Sequence, residues 1–211
     1  VADRDLELRI AWERHIGRGS TSGRWLGSVV SRYHEPQRHY HDVRHVRRVV
    51  RHVNELASTR DLADIGAVNA AAFFHDVIYD PTSPANEAAS ATLADRALTE
   101  VGWVSARIAG VTRMILGTAG HDHTGASLGE AVLYAADLAV LAADPAGYSD
   151  YVRNIRREYV HVGDHDWVTG RSAVLRSFLE RDAIFAPVLQ LERWERRARA
   201  NITAELESLG A

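Results

Sequence analysis

Two apolar stretches of this chain carry ionisable residues where an apolar helix should carry none. In VNAAAFFHDVIYD, residues 68–80, His75 and Asp76 interrupt the run, and in EAVLYAADLAVLAA, residues 130–143, Asp137 stands near the middle. A helix that is apolar on every face is buried, and a lone carboxylate inside it is costly unless it is paired or bound to a metal. For any single residue of the three, a satisfied core side chain is the better reading. Together, on two buried helices, they favour one shared site over three accidents.

A third element is RHYHDVRH, residues 38–45, where His41 and His45 are four apart. On a helix that spacing puts both on one face. Such a pair binds one metal jointly, or one imidazole binds while the other faces a substrate. A solvated, basic helix start is the plainer alternative, because Arg38, His39, Arg44, Arg47 and Arg48 surround the pair. His45, His75, Asp76 and Asp137 then supply nitrogen and oxygen donors, a set that suits a divalent Mn, Fe, Co, Ni, Mg or Zn ion. Closed structural zinc sites typically use cysteine, and this chain has none. Carboxylates in an open site are the catalytic style, where the metal lowers the pKa of bound water.

The elements that must carry these residues read as helices throughout. Long proline-poor stretches rich in Ala, Leu, Arg and Glu favour them, and only 5 prolines interrupt the chain. Expected helices cover residues 3–16, with Leu6, Ile10 and Trp12 near one face, then 25–33, 42–56, 62–78, 86–101, 103–117, 130–143, 145–160, 170–182, and a last one opened or interrupted by Pro187 and running to about Leu209. Loops are expected at 17–23, where GRGSTSG lacks a phosphate-cradling P-loop pattern, at 34–39, at 117–129 and at 161–170. No strand pattern, repeat or linker emerges. The expectation is an all-α, multi-helix bundle forming a single domain over residues 1–211, with a metal site in its core.

Composition narrows the partners. The 211 residues, 46% of them hydrophobic, suffice for a sizeable core. A net charge of −3 gives no electrostatic reason for a nucleic-acid or membrane partner. The absence of cysteine excludes disulfides and suits the cytoplasm. The N-terminal VADRDLELRI lacks the apolar run of a signal peptide, and no run reaches the roughly 18 apolar residues of a membrane span.

The motifs resemble a known family, the HD-domain superfamily of metal-dependent phosphohydrolases. YHDVRH (40–45) resembles the YHNxxH segment of cyclic-nucleotide phosphodiesterases. AAFFHDVIYD (71–80) looks like the helix bearing the family's central His-Asp pair, and NEAASA (86–91) resembles the acidic segment after it. RMILGTAGHDH (113–123), LYAADLAVLAA (133–143), YSDYVRNIRREY (148–159) and GRSAVLRSFLER (170–181) look like an uncharacterised bacterial group of HD-type phosphohydrolases, so the likeness spans about residues 25–205.

The resemblance implies roles. His45, His75, Asp76 and Asp137 match metal ligands, with Asp76 bridging if there are two ions. His121, with His123 as alternate, falls where binuclear members add a ligand. His41 matches the residue that protonates the leaving group, and Glu87 the acid that orients water. Arg156 and Arg171, in motif-like segments, are candidates to neutralise phosphate, with plain surface charge as the equal alternative. The implied substrate is a small-molecule phosphate ester, such as a nucleotide. A non-catalytic nucleotide or metal sensor and a di-iron oxygenase are the rival expectations.

Overall fold

A computed structural model of the chain describes residues 5–210. Asp3 and Arg4, where the first helix was expected to begin, lie outside the described residues. Ten α-helices and no strand occur among the described residues, so the all-α expectation holds. They are α1 (Leu6–His15), α2 (Ser20–Tyr33), α3 (Val43–Ala57), α4 (Ile65–Phe74), α5 (Asn86–Val101), α6 (Ser105–Gly117), α7 (Leu128–Asp137), α8 (Pro145–Glu158), α9 (Asp164–Leu179) and α10 (Glu192–Leu209). Short 3-10 turns cover Leu138–Ala142 and Pro187–Leu189. None of the helices is long and apolar enough to cross a membrane. The chain divides into two compact units, one ending at Asp137 and one starting at Leu138.

In the first unit α4 is the central rod. Every residue from Gly66 to Phe74 is buried, and α4 packs against α1, α3, α5, α6 and α7. Its small residues, Ala70, Ala71 and Ala72, let those neighbours approach, while Phe73 and Phe74 fill the remaining volume. Trp12 packs edge-on against Phe73, with ring centroids 5.1 Å apart. Burying side chains of this size stabilises by about 1.5–3 kcal/mol each. α3 lays Val46, Val49, Val50 and Val53 on the core, and a half-buried amide pair ties it to α4, Asn54 Nδ2 donating to Asn69 Oδ1 at 2.9 Å.

Asp64 starts α4 by accepting from the Ala67 amide at 2.9 Å and takes a two-pronged bond from Arg107 on α6, at 2.6 and 2.9 Å. The Arg107 guanidinium holds its carboxyl below the ordinary value. A depressed carboxyl pKa contributes stability that is complete above the unfolded value and fades as the pH falls through the folded one. Asp64→Ala is expected to cost about 1–2 kcal/mol, the loss of one helix cap. The cost should shrink in acid. Urea unfolding at pH 7 and pH 3 checks it, and an equal effect at both pH values would remove the carboxylate from the explanation.

The second unit is smaller. α10 packs on the 3-10 turn and on α9, and α8 packs on the same turn. Asn201 donates to the carbonyls of Leu141 and Ala143 at 2.8 and 3.0 Å, satisfying groups the 3-10 turn leaves open.

Several boundaries differ from expectation, each for a physical reason. α1 buries Leu8 and Trp12 and leaves Leu6 and Ile10 exposed, because Leu8 lies one turn before Trp12 on the same face while the Leu6–Ile10 pair points to the other side of the helix. α2 starts at Ser20, inside the expected loop 17–23. Ser22 is buried there, accepting from Trp12 Nε1 and donating to Gly17 O, both at 2.8 Å. α9 starts at Asp164, inside the expected loop 161–170. Asp164 and Asp166 are polar, yet in a first helical turn they oppose the helix dipole favourably. α5 matches expectation, closed by Gly102 at φ 95°, the left-handed conformation that glycine adopts without strain.

Candidate metal centre

The two helices that end at the candidate ligands end early. α4 was expected to reach residue 78, with His75 and Asp76 inside it, but stops at Phe74, which makes His75 its C-cap and puts Asp76 in the following turn. α7 was expected to run through Asp137 to 143, but ends on it and tightens into a 3-10 turn. Asp76 and Asp137 therefore lie half-buried at helix ends, not at mid-helix. The cause at α4 is Arg38. Its side chain is fully buried and donates to the carbonyls of Asp76 (2.7 Å) and Val77 (3.0 Å), while Tyr33 OH donates to Phe73 O at 3.1 Å. The Phe73 carbonyl, which a longer helix would bond to the Val77 amide, is satisfied from outside, and Arg38 holds the carbonyls of the turn that follows.

His45 arrives from α3. Asp42 caps that helix, accepting from the amides of Arg44 (2.8 Å) and His45 (3.3 Å), and the valine face turns His45 inward. His41 was expected on the same helix face, but the helix begins at Val43, so His41 precedes the cap. It reaches the site through the chain turn instead.

Four side chains meet. His45 Nε2 lies 3.1 Å from His75 Nε2, 3.3 Å from Asp76 Oδ2 and 3.1 Å from Asp137 Oδ1. His75 Nε2 lies 3.1 Å from Asp76 Oδ2 and 3.3 Å from Asp137 Oδ1. Around a first-row ion with nitrogen and oxygen donors at about 2.1 Å, neighbouring donors stand about 3.0–3.4 Å apart. The observed separations fall in that range, and the four residues form a group able to hold a metal ion.

The ring orientations agree. His75 Nδ1 lies 3.0 Å from Ala72 O, a contact that requires a proton on Nδ1. In the neutral ring Nε2 then presents its lone pair to the carboxylates. Carbonyl-fixed tautomers of this kind are typical of metal-bound histidine. A bare lone pair facing two carboxylates is repulsive, so the cluster calls for a positive charge at its centre. Burial alone would lower the His75 pKa, but the Asp76 and Asp137 charges outweigh it and hold it well above the usual imidazole value. Burial alone would raise both carboxyls. The His75 charge, aided by hydrogen bonds from His45 and by His41 or His121, holds them well below the usual carboxylate range. A proton can meet that demand in the metal-free protein, and a divalent ion meets it more fully.

Around the four, His121 Nε2 lies 2.7 Å from Asp137 Oδ2. Asp137 therefore gives one oxygen to the centre and the other to His121. His121 holds a left-handed backbone, φ 48°, an uncommon conformation for a residue with a side chain. The turn closes by its amide donating to Gly117 O at 2.9 Å, and Gly117 has no room for a Cβ because the Tyr134 hydroxyl occupies that space. His123 lies in the same loop, half-buried. The His41 ring leans on Tyr79, centroids 4.3 Å apart and planes tilted by 32°, with its Nε2 3.9 Å from Asp76 Oδ2. Glu87 occupies the first turn of α5, half-buried. That turn is pinned to the chain after Asp76 by Asn86, bonded to Asp80, and by Ser90, bonded to Ile78.

Arg156 and Arg171 belong to the second unit, and both have partners there. Arg156 donates to Tyr159 O, Val162 O and Asp164. Arg171 grips Glu205 with two bonds, 2.8 and 3.0 Å, and donates to Tyr151 OH, while Tyr148 OH donates to Glu205 at 2.6 Å. Arg171→Ala leaves a buried carboxylate uncompensated and is expected to cost about 3–5 kcal/mol. Urea denaturation measures it, and a loss under about 1 kcal/mol would reduce the pair to a surface-type contact.

Sequence reasoning passed over Arg38 and Tyr79. Arg38 was read as part of a solvated basic helix start, and nothing in its spacing marks it as buried. Tyr79 lies within the quoted 71–80 segment, but its ring contact with His41 joins positions 38 apart and leaves no local signal. No protein-family model, curated protein or solved structure matches the chain.

Proposed function

We propose that this chain is a metal-dependent phosphohydrolase acting on a small phosphate ester, with nucleotides and related compounds as the substrate class. The observation that carries the reading is the convergence of His45, His75, Asp76 and Asp137 on one point, with donor separations of 3.1–3.3 Å. The resemblance of YHDVRH, AAFFHDVIYD and LYAADLAVLAA to the HD-domain superfamily supplies the reaction class.

His45, His75, Asp76 and Asp137 would hold the ion, one of Mn, Fe, Co, Ni, Mg or Zn, and His121 is the candidate for a second. Once bound, the ion supplies Lewis acidity toward a phosphoryl oxygen and toward water. The remaining work falls to the chain. His41, beside Asp76, gives a proton to the departing oxygen. Tyr79 beneath its ring restricts the direction from which that proton arrives. His121 holds Asp137 in one orientation, so the inward oxygen keeps its aim. Glu87 is the residue assigned to orient water.

The test is phosphate release from a panel of nucleotide and simple phosphate esters, with metal-loaded and metal-stripped protein compared. Metal-dependent release supports the reading. Oxygen uptake without phosphate release replaces it with the oxygenase, and tight nucleotide binding with neither activity replaces it with the sensor.

A further inference from the structure

We infer that Arg38 is a positioning residue for the metal centre, a single buried guanidinium that sets the His41 segment against the Asp76 turn. The inference rests on the reading of the four-residue group as a metal site. A fully buried arginine bears a heavy desolvation cost, and it persists where its donors are spent on groups that need them. Here Nη1 donates both to His41 O (3.0 Å) and to Asp76 O (2.7 Å), Nη2 to Val77 O (3.0 Å) and Nε to Glu35 Oε2 (3.1 Å). The planar group also lies over the rings of Tyr33 (5.1 Å) and Tyr79 (5.5 Å).

The last carbonyls of α4 are met by the His75 and Val77 amides, the His75 ring and the Tyr33 hydroxyl, so holding the turn that follows needs donors for Asp76 and Val77 alone. The same nitrogen also holding the carbonyl of His41, 35 positions earlier, is more than capping requires. It joins the backbone of a ligand to the backbone of the candidate acid. The His41 ring and the Asp76 carboxylate stand 3.9 Å apart, beyond hydrogen-bond range, so a direct bond does not fix their separation. The backbone link through Arg38 does, and Tyr79 completes it by touching both Arg38 and the His41 ring. Lysine presents a point charge without the fork and cannot reproduce this set of contacts.

The experiment titrates metal-stripped wild type and Arg38→Lys with Co2+, following its visible absorption, after circular dichroism has shown equal helical content. The expected result is about 10–100-fold weaker Co2+ binding in Arg38→Lys, the usual effect of losing a group that orients a ligand, with an altered visible spectrum. A capping role alone would lower the melting temperature and leave affinity and spectrum in place, and that outcome overturns the inference. Glu35→Ala provides the second variant, since it frees the guanidinium without removing it. It is expected to weaken Co2+ binding about 10-fold, the lower end of that range. If Arg38→Lys fails to fold, wild-type affinity in Glu35→Ala overturns the inference instead. Wild type that binds no Co2+ ends the metal reading itself and this inference with it.

Discussion

Asp137→Ala is expected to bind its metal at least about 100-fold more weakly than wild type and to lose turnover in step. Removing a group that only orients a ligand costs about 10–100-fold, so removing a ligand should cost no less. Asp137 Oδ1 lies 3.1 Å from His45 and 3.3 Å from His75, as close as Asp76 Oδ2 does, and its Oδ2 engages His121 as well. Without it, two buried imidazoles face a single carboxylate and His121 loses its bond to Asp137. The metal-free variant should lose about 1–3 kcal/mol of stability, the range for leaving buried polar groups unsatisfied. That leaves a folded protein in which the metal defect can be measured. Elemental analysis and calorimetric titration read the first quantity, urea unfolding the second. A variant with wild-type metal content and turnover would make Asp137 a structural carboxylate.

His41→Ala should do the opposite, lowering turnover by about 10²–10⁴ while leaving metal occupancy unchanged, the range for losing general-acid help. His41 stands outside the four-donor group, 3.9 Å from Asp76, and the group does not need it. An imidazole beside the site can deliver a proton to a departing oxygen. The defect should therefore shrink with nitrophenyl esters, whose leaving groups depart without protonation. Turnover of a poor and a good leaving group, set beside metal content, separates the outcomes. Metal loss in proportion to activity would make His41 a ligand, and unchanged kinetics would remove it from the chemistry.

The legible part of this protein was the misplaced charge. His75, Asp76 and Asp137 stood out because apolar helices buried on every face cannot carry unpaired ions, and the structure brings all three together with His45. The helix that bears Val46, Val49, Val50 and Val53 was equally plain, because its period is local. What stayed illegible depends on partners distant in sequence. The end of α4 is set by Arg38 and Tyr33, some 40 positions earlier, so the apolar pattern alone carried the expected helix too far. His41 keeps its place near Asp76 although it lies before the cap of α3, because the chain turn and not the helical repeat delivers it. The bond from His121 to Asp137 depends on a left-handed residue, which composition does not announce. The partners of Arg171 lie on α8 and α10, so a motif-like segment gave no hint that Glu205 already grips it.

The most direct test is a crystal of the protein grown with Mn2+ and inorganic phosphate, measured for anomalous scattering. The account predicts a peak about 2.0–2.3 Å from His45 Nε2, His75 Nε2, Asp76 Oδ2 and Asp137 Oδ1, with phosphate beside it on the side facing His41. Four side chains in the same places with no anomalous peak among them, or a peak held by other residues, would contradict it.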